Sequence, residues 1–278
     1  MALFLQPGVY HPMTGQPALE VLHHAPRRKA KRAPLVFVHG AHVAAWCWDE
    51  HFLGHFVQYG YPVHALSLRG HGASEGRESL RWAGLADYAA DLLAVTAGLD
   101  APPVIIGHSM GATIVERVLR RTRARGAVLM TPVPLSGLGG AAMLLVARDP
   151  ELFRDLALIQ LPRPPYARLR HLGRAAFSDK LRDGAALAYL RRMQPESDRA
   201  LFELCWPQYA FVEPADVPVL VLAAGDDALF PPWTIAMSGC FTGAKVEVLP
   251  GMAHAMMLEP DWRRAADRIL EWLEEEGF

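Results

Sequence analysis

The sequence predicts an α/β protein: a doubly wound, mostly parallel sheet carrying an inserted helical cap. Three observations lead there. Short runs rich in Val, Ile and Leu recur without polar alternation, as in strands buried on both faces. Helix-periodic segments separate those runs, the pattern of parallel strands joined by crossovers. Between about Leu135 and Val212 the alternation stops, over a stretch too long for a loop in a compact domain.

The expected strands cover residues 19–23 and 35–38, then 63–68, 104–106, 127–130, 219–223 and 246–249. Helices are expected over 48–59, 86–99, 110–121 and 261–275. Inside the interrupted stretch, 141–147, 150–159 and 184–193 read as helices around the stiff Leu161-Pro162-Arg163-Pro164-Pro165. The division that follows is a core of residues 1–134 and 213–278, with 135–212 as the helical cap or lid.

At 278 residues the chain can bury one sizeable core. Hydrophobic residues make up 51% and charged residues 21%, which excludes a disordered chain. The net charge of −1 gives no global reason to expect nucleic-acid binding. The basic run from Arg27 to Arg32 falls between two expected strands and reads as a solvated turn. Cys47, Cys205 and Cys240 are odd in number, far apart and without metal-ligand spacing, so reduced thiols in a cytoplasmic protein are expected. The first residues lack a basic, apolar targeting pattern, and no run reaches the roughly 20 apolar residues a membrane helix needs. No cofactor or metal is expected, and the oligomeric state is not legible.

The chemistry is concentrated in Gly107-His108-Ser109-Met110-Gly111. A strand precedes it and a helix follows, so Ser109 must occupy a very sharp turn. Glycine two positions to either side removes the Cβ clashes such a turn would create. The hydroxyl then stands at the end of a strand beside a helix N-terminus, where negative charge is favoured and the Met110 N–H is available as an oxyanion donor. A serine hydroxyl needs an adjacent base, and the base an orienting acid. Asp226 and Asp227 follow the expected strand 219–223, and His254 follows 246–249. Ser, Asp and His thus occur in that order, each just past a core strand. Val36-Phe37-Val38-His39-Gly40-Ala41 ends an earlier strand in a His-Gly loop.

With Ser67-Leu68-Arg69-Gly70-His71-Gly72-Ala73-Ser74 added, the chain closely resembles the α/β-hydrolase superfamily over about residues 35–278, apart from the cap, which the resemblance leaves unassigned. Residues 38–48 look like the corresponding loop of plant methylesterases and hydroxynitrile lyases. Residues 69–74 look more like monoacylglycerol lipases and lysophospholipase-like bacterial hydrolases. The resemblance implies a serine hydrolase cleaving a carboxylic ester or thioester through an acyl-enzyme on Ser109, with His254 as base. A C–C hydrolase, an acyltransferase or a non-catalytic binding member of the fold are the alternatives. The family's Asp-x-x-x-Pro spacing fits Asp227 through Pro231 and so favours Asp227 over Asp226. The resemblance also implies Ala41 N–H as the second oxyanion donor, with His42 as a substitute. The family often has Asp where Ser67 stands, and Ala255 occupies the position of a lysine that hydroxynitrile lyases carry, which counts against cyanohydrin cleavage.

Of the remaining histidines, His39, His71 and His108 read as loop braces, and His23, His24, His51, His55, His64 and His171 as surface residues. Asp87, Asp91 and Glu116 read as exposed or helix-terminal charges. Residues 148–192 carry nine Arg and one Lys against five acids, a local excess of five positive charges. Solvated helix faces account for that excess, or it favours an anionic substrate. Met143, Leu144, Leu145, Phe153, Leu156, Trp206 and Tyr209 either line a pocket or pack the cap onto the core.

Overall fold

A computed structural model describes residues 4–6, 9–10, 16–27, 32–156, 172–208, 215–242 and 244–278. Among the described residues the strands are β1 (Phe4–Gln6), β2 (Val9–Tyr10), β3 (Leu19–His24), β4 (Leu35–Val38), β5 (Val63–Leu66), β6 (Val104–His108), β7 (Gly126–Met130), β8 (Val219–Ala224) and β9 (Lys245–Leu249). They form one sheet in the order β1-β2-β3-β5-β4-β6-β7-β8-β9. β1, β2 and β3 pair antiparallel, as do β3 and β5, and every pairing from β5 to β9 is parallel.

The continuous apolar runs follow from burial on both faces. Along β4, Leu35 and Phe37 enter one core with Trp48, Phe52, Phe56 and Trp272. Val36 and Val38 enter the other with Tyr88, Leu92, Ile114 and Val118. The crossovers are α1 (Trp46–Asp49) and α2 (Phe52–Gln58), α3 (Leu85–Ala97) and α4 (Met110–Val118). Between β7 and β8 lie α5 (Gly137–Arg148), α6 (Pro150–Leu156), α7 (Asp183–Leu190) and α8 (Asp198–Cys205). Helix α9 (Pro232–Thr242) precedes β9, and α10 (Trp262–Glu275) closes the chain, burying Ala265, Ala266, Ile269, Leu270, Trp272 and Leu273 on one stripe. The order of the sheet reverses at β4: the chain moves outward to β5, then returns to β6 on β4's other side. The carboxyl ends of β4 and β6 therefore flank the crevice where such sheets bind ligands.

Several sequence expectations are corrected here. The helix expected over 48–59 is two pieces, because the backbone leaves helical geometry at His51, whose ring stacks on Trp262 at 5.1 Å. The strand expected to reach Leu68 ends at Leu66, because Leu68 N–H leaves the ladder to bond His39 Nε2 at 3.0 Å. His55 is buried against Asp267 of α10 at 2.8 Å, and His64 is buried and stacked on His23 at 4.4 Å. Asp91 is wholly buried, where the Arg69 side chain reaches it at 2.6 Å and the Arg69 N–H at 2.9 Å. That pair ties the Gly-rich loop to α3, an arrangement stabilised by two-pronged charge-assisted bonding. Asp87 does sit at a helix start, accepting the Gly84 N–H at 2.8 Å. His171 and the stretch 157–171, which includes the end of the helix expected over 150–159, lie outside the described residues, as does most of the basic run near Arg27.

Candidate active site

Ser109 sits at the β6–α4 turn with φ 53° and ψ −119°, a conformation non-glycine residues hold only when their surroundings enforce it. A Cβ on Gly107 would lie 2.6 Å from the Gly111 carbonyl oxygen, and one on Gly111 would run into the carbonyl oxygens of Val38 and His39. The two glycines therefore let α4 start directly against β4 and β6. The Ser109 N–H bonds Met130 O at 2.9 Å, while Oγ has no hydrogen-bond partner among the described residues.

His254 follows β9, and its Nδ1 lies 2.7 Å from Asp227 Oδ2. The other carboxylate oxygen, Oδ1, accepts the Leu229 N–H at 2.8 Å and the Phe230 N–H at 2.9 Å. A carboxylate only accepts, so Nδ1 carries a proton, and in the neutral ring Nε2 is the nitrogen that keeps its lone pair. Both residues are buried, whereas Asp226 is exposed and contributes only its backbone N–H, to Met252 O at 2.9 Å. Of the two aspartates, the structure brings Asp227 to His254. His108 Nε2 donates to the His254 carbonyl oxygen at 2.9 Å and so couples the serine turn to the histidine loop.

The loop after β4 is braced the same way. His39 Nδ1 donates to Gly40 O at 2.8 Å while Nε2 accepts from Leu68. Neither Ala41 N–H nor Met110 N–H donates to a described residue. The His42 N–H, by contrast, is taken by Glu196 Oε2 at 3.3 Å, which removes it as the substitute donor. Ser67 Oγ takes the Ala45 N–H at 3.0 Å and donates to Glu20 Oε2 at 2.5 Å. A carboxylate from the neighbouring strand β3 thus holds Ser67 in place. Glu20, Gln194 and Glu196 were not legible in the sequence. The only local signal near Glu196 is the helix start marked by Ser197, whose Oγ accepts the Ala200 N–H at 3.2 Å.

Ser109, His254, Ala41, Met110 and His42 all line one cavity of about 520 Å³. Its walls are otherwise almost wholly apolar, with Val43, Trp46, Leu145, Phe153 and Leu156 among them. No Arg or Lys lines it among the described residues, so their positive excess does not reach it. Met143 and Trp206 are exposed away from it, Leu144 lines a separate shallow groove beside Asp227, and Tyr209 lies outside the described residues. No group of three or more His, Cys, Asp or Glu among the described residues could hold a metal ion. No helix among them is long and apolar enough to cross a membrane.

Burial pushes the rings of His39, His64 and His108 down to about 3. An unfolded chain would protonate all three near 6.5, so the native state binds fewer protons as pH falls below that value. Their contribution to stability is full above about 6.5 and is lost toward 3. His71, which is raised, and Glu116, which burial pushes up to about 8, act in the opposite sense and partly offset the three lowered rings. The urea midpoint should therefore drop from about pH 7 to about pH 5, each ring contributing up to about 1.4 kcal/mol per pH unit. A flat midpoint over that window would contradict neutral buried rings.

The alpha/beta hydrolase family profile matches residues 35–266, and the chain belongs to that family. Its similarity to curated proteins runs to non-heme chloroperoxidases. The one from Streptomyces lividans is 39% identical over 105 residues, 36% of this chain and 37% of that protein. The alignment thus spans little more than a third of that relative. The one from Burkholderia pyrrocinia is 27% identical over 258 residues, covering 81% of this chain and 86% of that protein. Among solved structures, a thermophilic esterase from Thermogutta terrifontis superposes with a TM-score of 0.71 at 20% identity, over 95% of this chain and 96% of that one. At that identity the likeness is one of fold.

Proposed function

We propose that the protein is a serine hydrolase that cleaves an uncharged carboxylic ester or thioester, and that residues 135–212 act as its cap. The observation that carries this reading is the 2.7 Å Asp227–His254 bond, beside a strained Ser109 in the same apolar cavity. Ser109 Oγ attacks the carbonyl carbon while His254 Nε2 takes its proton. The oxyanion is held by the Ala41 and Met110 N–H groups, which are otherwise unengaged. Collapse of the intermediate expels the alcohol or thiol, which receives the proton from His254. Water, deprotonated by the same nitrogen, then attacks the acyl-enzyme and releases the acid. Asp227 orients the ring and balances its transient positive charge.

The apolar lining of the cavity supports a neutral substrate with a hydrocarbon acyl or alkyl part. Leu145 and Phe153 line it from α5 and α6, so shrinking either to Ala should move the preferred acyl length toward longer chains. The shift should be graded, at about 1–3 kcal/mol per methylene. The test is kcat/KM across p-nitrophenyl esters of increasing length, with halide-dependent chlorination measured alongside because of the relatives' names. Absence of hydrolysis for every ester and thioester would overturn the function. Parallel profiles for wild type and variants would overturn the pocket assignment alone.

A further inference from the structure

We infer that Glu196, carried on the helical insertion, is a positioning residue for the oxyanion loop of residues 39–42. The inference rests on the ester-hydrolase reading above and assigns the insertion a part in the chemistry beyond covering the cavity.

The Ala41 N–H belongs to the Gly40–Ala41 peptide, and in a trans peptide it points opposite to the Gly40 carbonyl. That carbonyl is held from one side by His39 Nδ1 at 2.8 Å. From the other side, the next peptide is held through the His42 N–H, which donates to Glu196 Oε2 at 3.3 Å. His42 has φ 67°, the left-handed region a histidine occupies only under constraint. The constraint comes from Gln194, whose N–H donates to His42 O at 2.9 Å and whose carbonyl accepts His42 Nδ1–H at 3.1 Å. Gln194 is itself anchored by its side chain, which accepts the Gly72 N–H at 3.1 Å and donates to Gly70 O at 2.9 Å. Residues 194–196 therefore clamp the Ala41–His42 turn from above.

The Glu196 carboxylate is wholly buried and accepts from three further donors: His71 Nε2 at 3.0 Å, Tyr88 Oη at 2.6 Å and the Ser197 N–H at 2.7 Å. His71 Nδ1 faces Arg69 O at 3.0 Å. With an acceptor at each nitrogen the ring must carry both protons, so His71 and Glu196 form a buried ion pair. Burial opposes both charges, and their mutual attraction outweighs it: Glu196 is held down at about 2 and His71 is raised. A glutamine in this place has one oxygen for donors that now share two. An amide nitrogen at the Oε2 position would face the N–H groups of His71 and His42, and the His42 N–H, on the longest of the four bonds given above, is the one that yields. Releasing it frees the Ala41 peptide to rotate.

The experiment compares wild type with Glu196→Gln and the milder Tyr88→Phe. It measures kcat and KM on the preferred ester, and the affinity of two chain-matched ketones. A trifluoromethyl ketone adds Ser109 Oγ to its carbonyl carbon, passes the serine proton to His254 and leaves an oxyanion. An unreactive methyl ketone only fills the cavity. Glu196→Gln should lower kcat about 10- to 100-fold and weaken the trifluoromethyl ketone by a similar factor. KM and the methyl ketone should change less than about threefold, since they report cavity filling without the oxyanion. Equal weakening of both ketones, or an unchanged kcat in folded protein, would overturn the inference. Should Glu196→Gln not fold, Tyr88→Phe decides: a smaller kcat loss with the same selective loss of the trifluoromethyl ketone supports the inference, and no selective loss rejects it. A wild type that is inactive, or whose activity survives Ser109→Ala, would instead reject the hydrolase reading.

Discussion

Ser109→Ala should lower kcat on any accepted ester by about six orders of magnitude, the loss seen when a serine nucleophile is removed from a comparable Ser-His-Asp set. Residual acceleration from the oxyanion donors and substrate binding should remain. The fold should tolerate the change, because Ser109 Oγ has no hydrogen-bond partner among the described residues and the strained backbone, which Gly107 and Gly111 make room for, is held by the Ser109 N–H bond to Met130 O. A fluorophosphonate probe followed by peptide mass spectrometry should place a single adduct on the peptide holding Ser109 and lose it in the variant. Labelling on another serine, or labelling that survives the substitution, would remove Ser109 from the mechanism.

The second large effect is expected at Asp227. Asn has the same shape, and the local hydrogen bonds dictate how it sits. The Leu229 and Phe230 N–H groups require an oxygen, so the amide oxygen takes the Oδ1 position. The amide nitrogen then faces His254 Nδ1 and donates to it, forcing the ring proton onto Nε2. A ring with that tautomer cannot take the serine proton, and kcat should drop by about 10⁴. Asp226→Asn should change kcat by less than about twofold, as expected for an exposed side chain outside the cavity. An Asp226 variant worse than the Asp227 variant, both folded, would reverse the assignment.

The sheet was readable in the sequence because burial on both faces leaves a signature that needs no partner: uninterrupted Val, Ile and Leu. The elbow was readable for a related reason. Its constraint is local, with Gly107 and Gly111 two positions from Ser109, so the spacing itself carries the geometry. The small β1–β2 hairpin and α9 were not anticipated. Strands of three and two residues are too short for any periodicity to register, and α9 shows no clear apolar stripe.

What the sequence by itself determined was the residue types and their order: a serine in a turn only glycines permit, an acid and a histidine each just past an apolar run. These are properties of short segments, and short segments are what a sequence displays. The tertiary structure alone decided which groups meet. It buried Asp227 with both oxygens engaged and left Asp226 exposed, although the two are adjacent in the chain. It buried Asp91 under Arg69, paired Glu20 with Ser67 across 47 positions, and brought Glu196 to His71 across 125. A buried charge is stable only where a partner from elsewhere in the fold compensates its lost hydration, and that partner's position is a property of the packing.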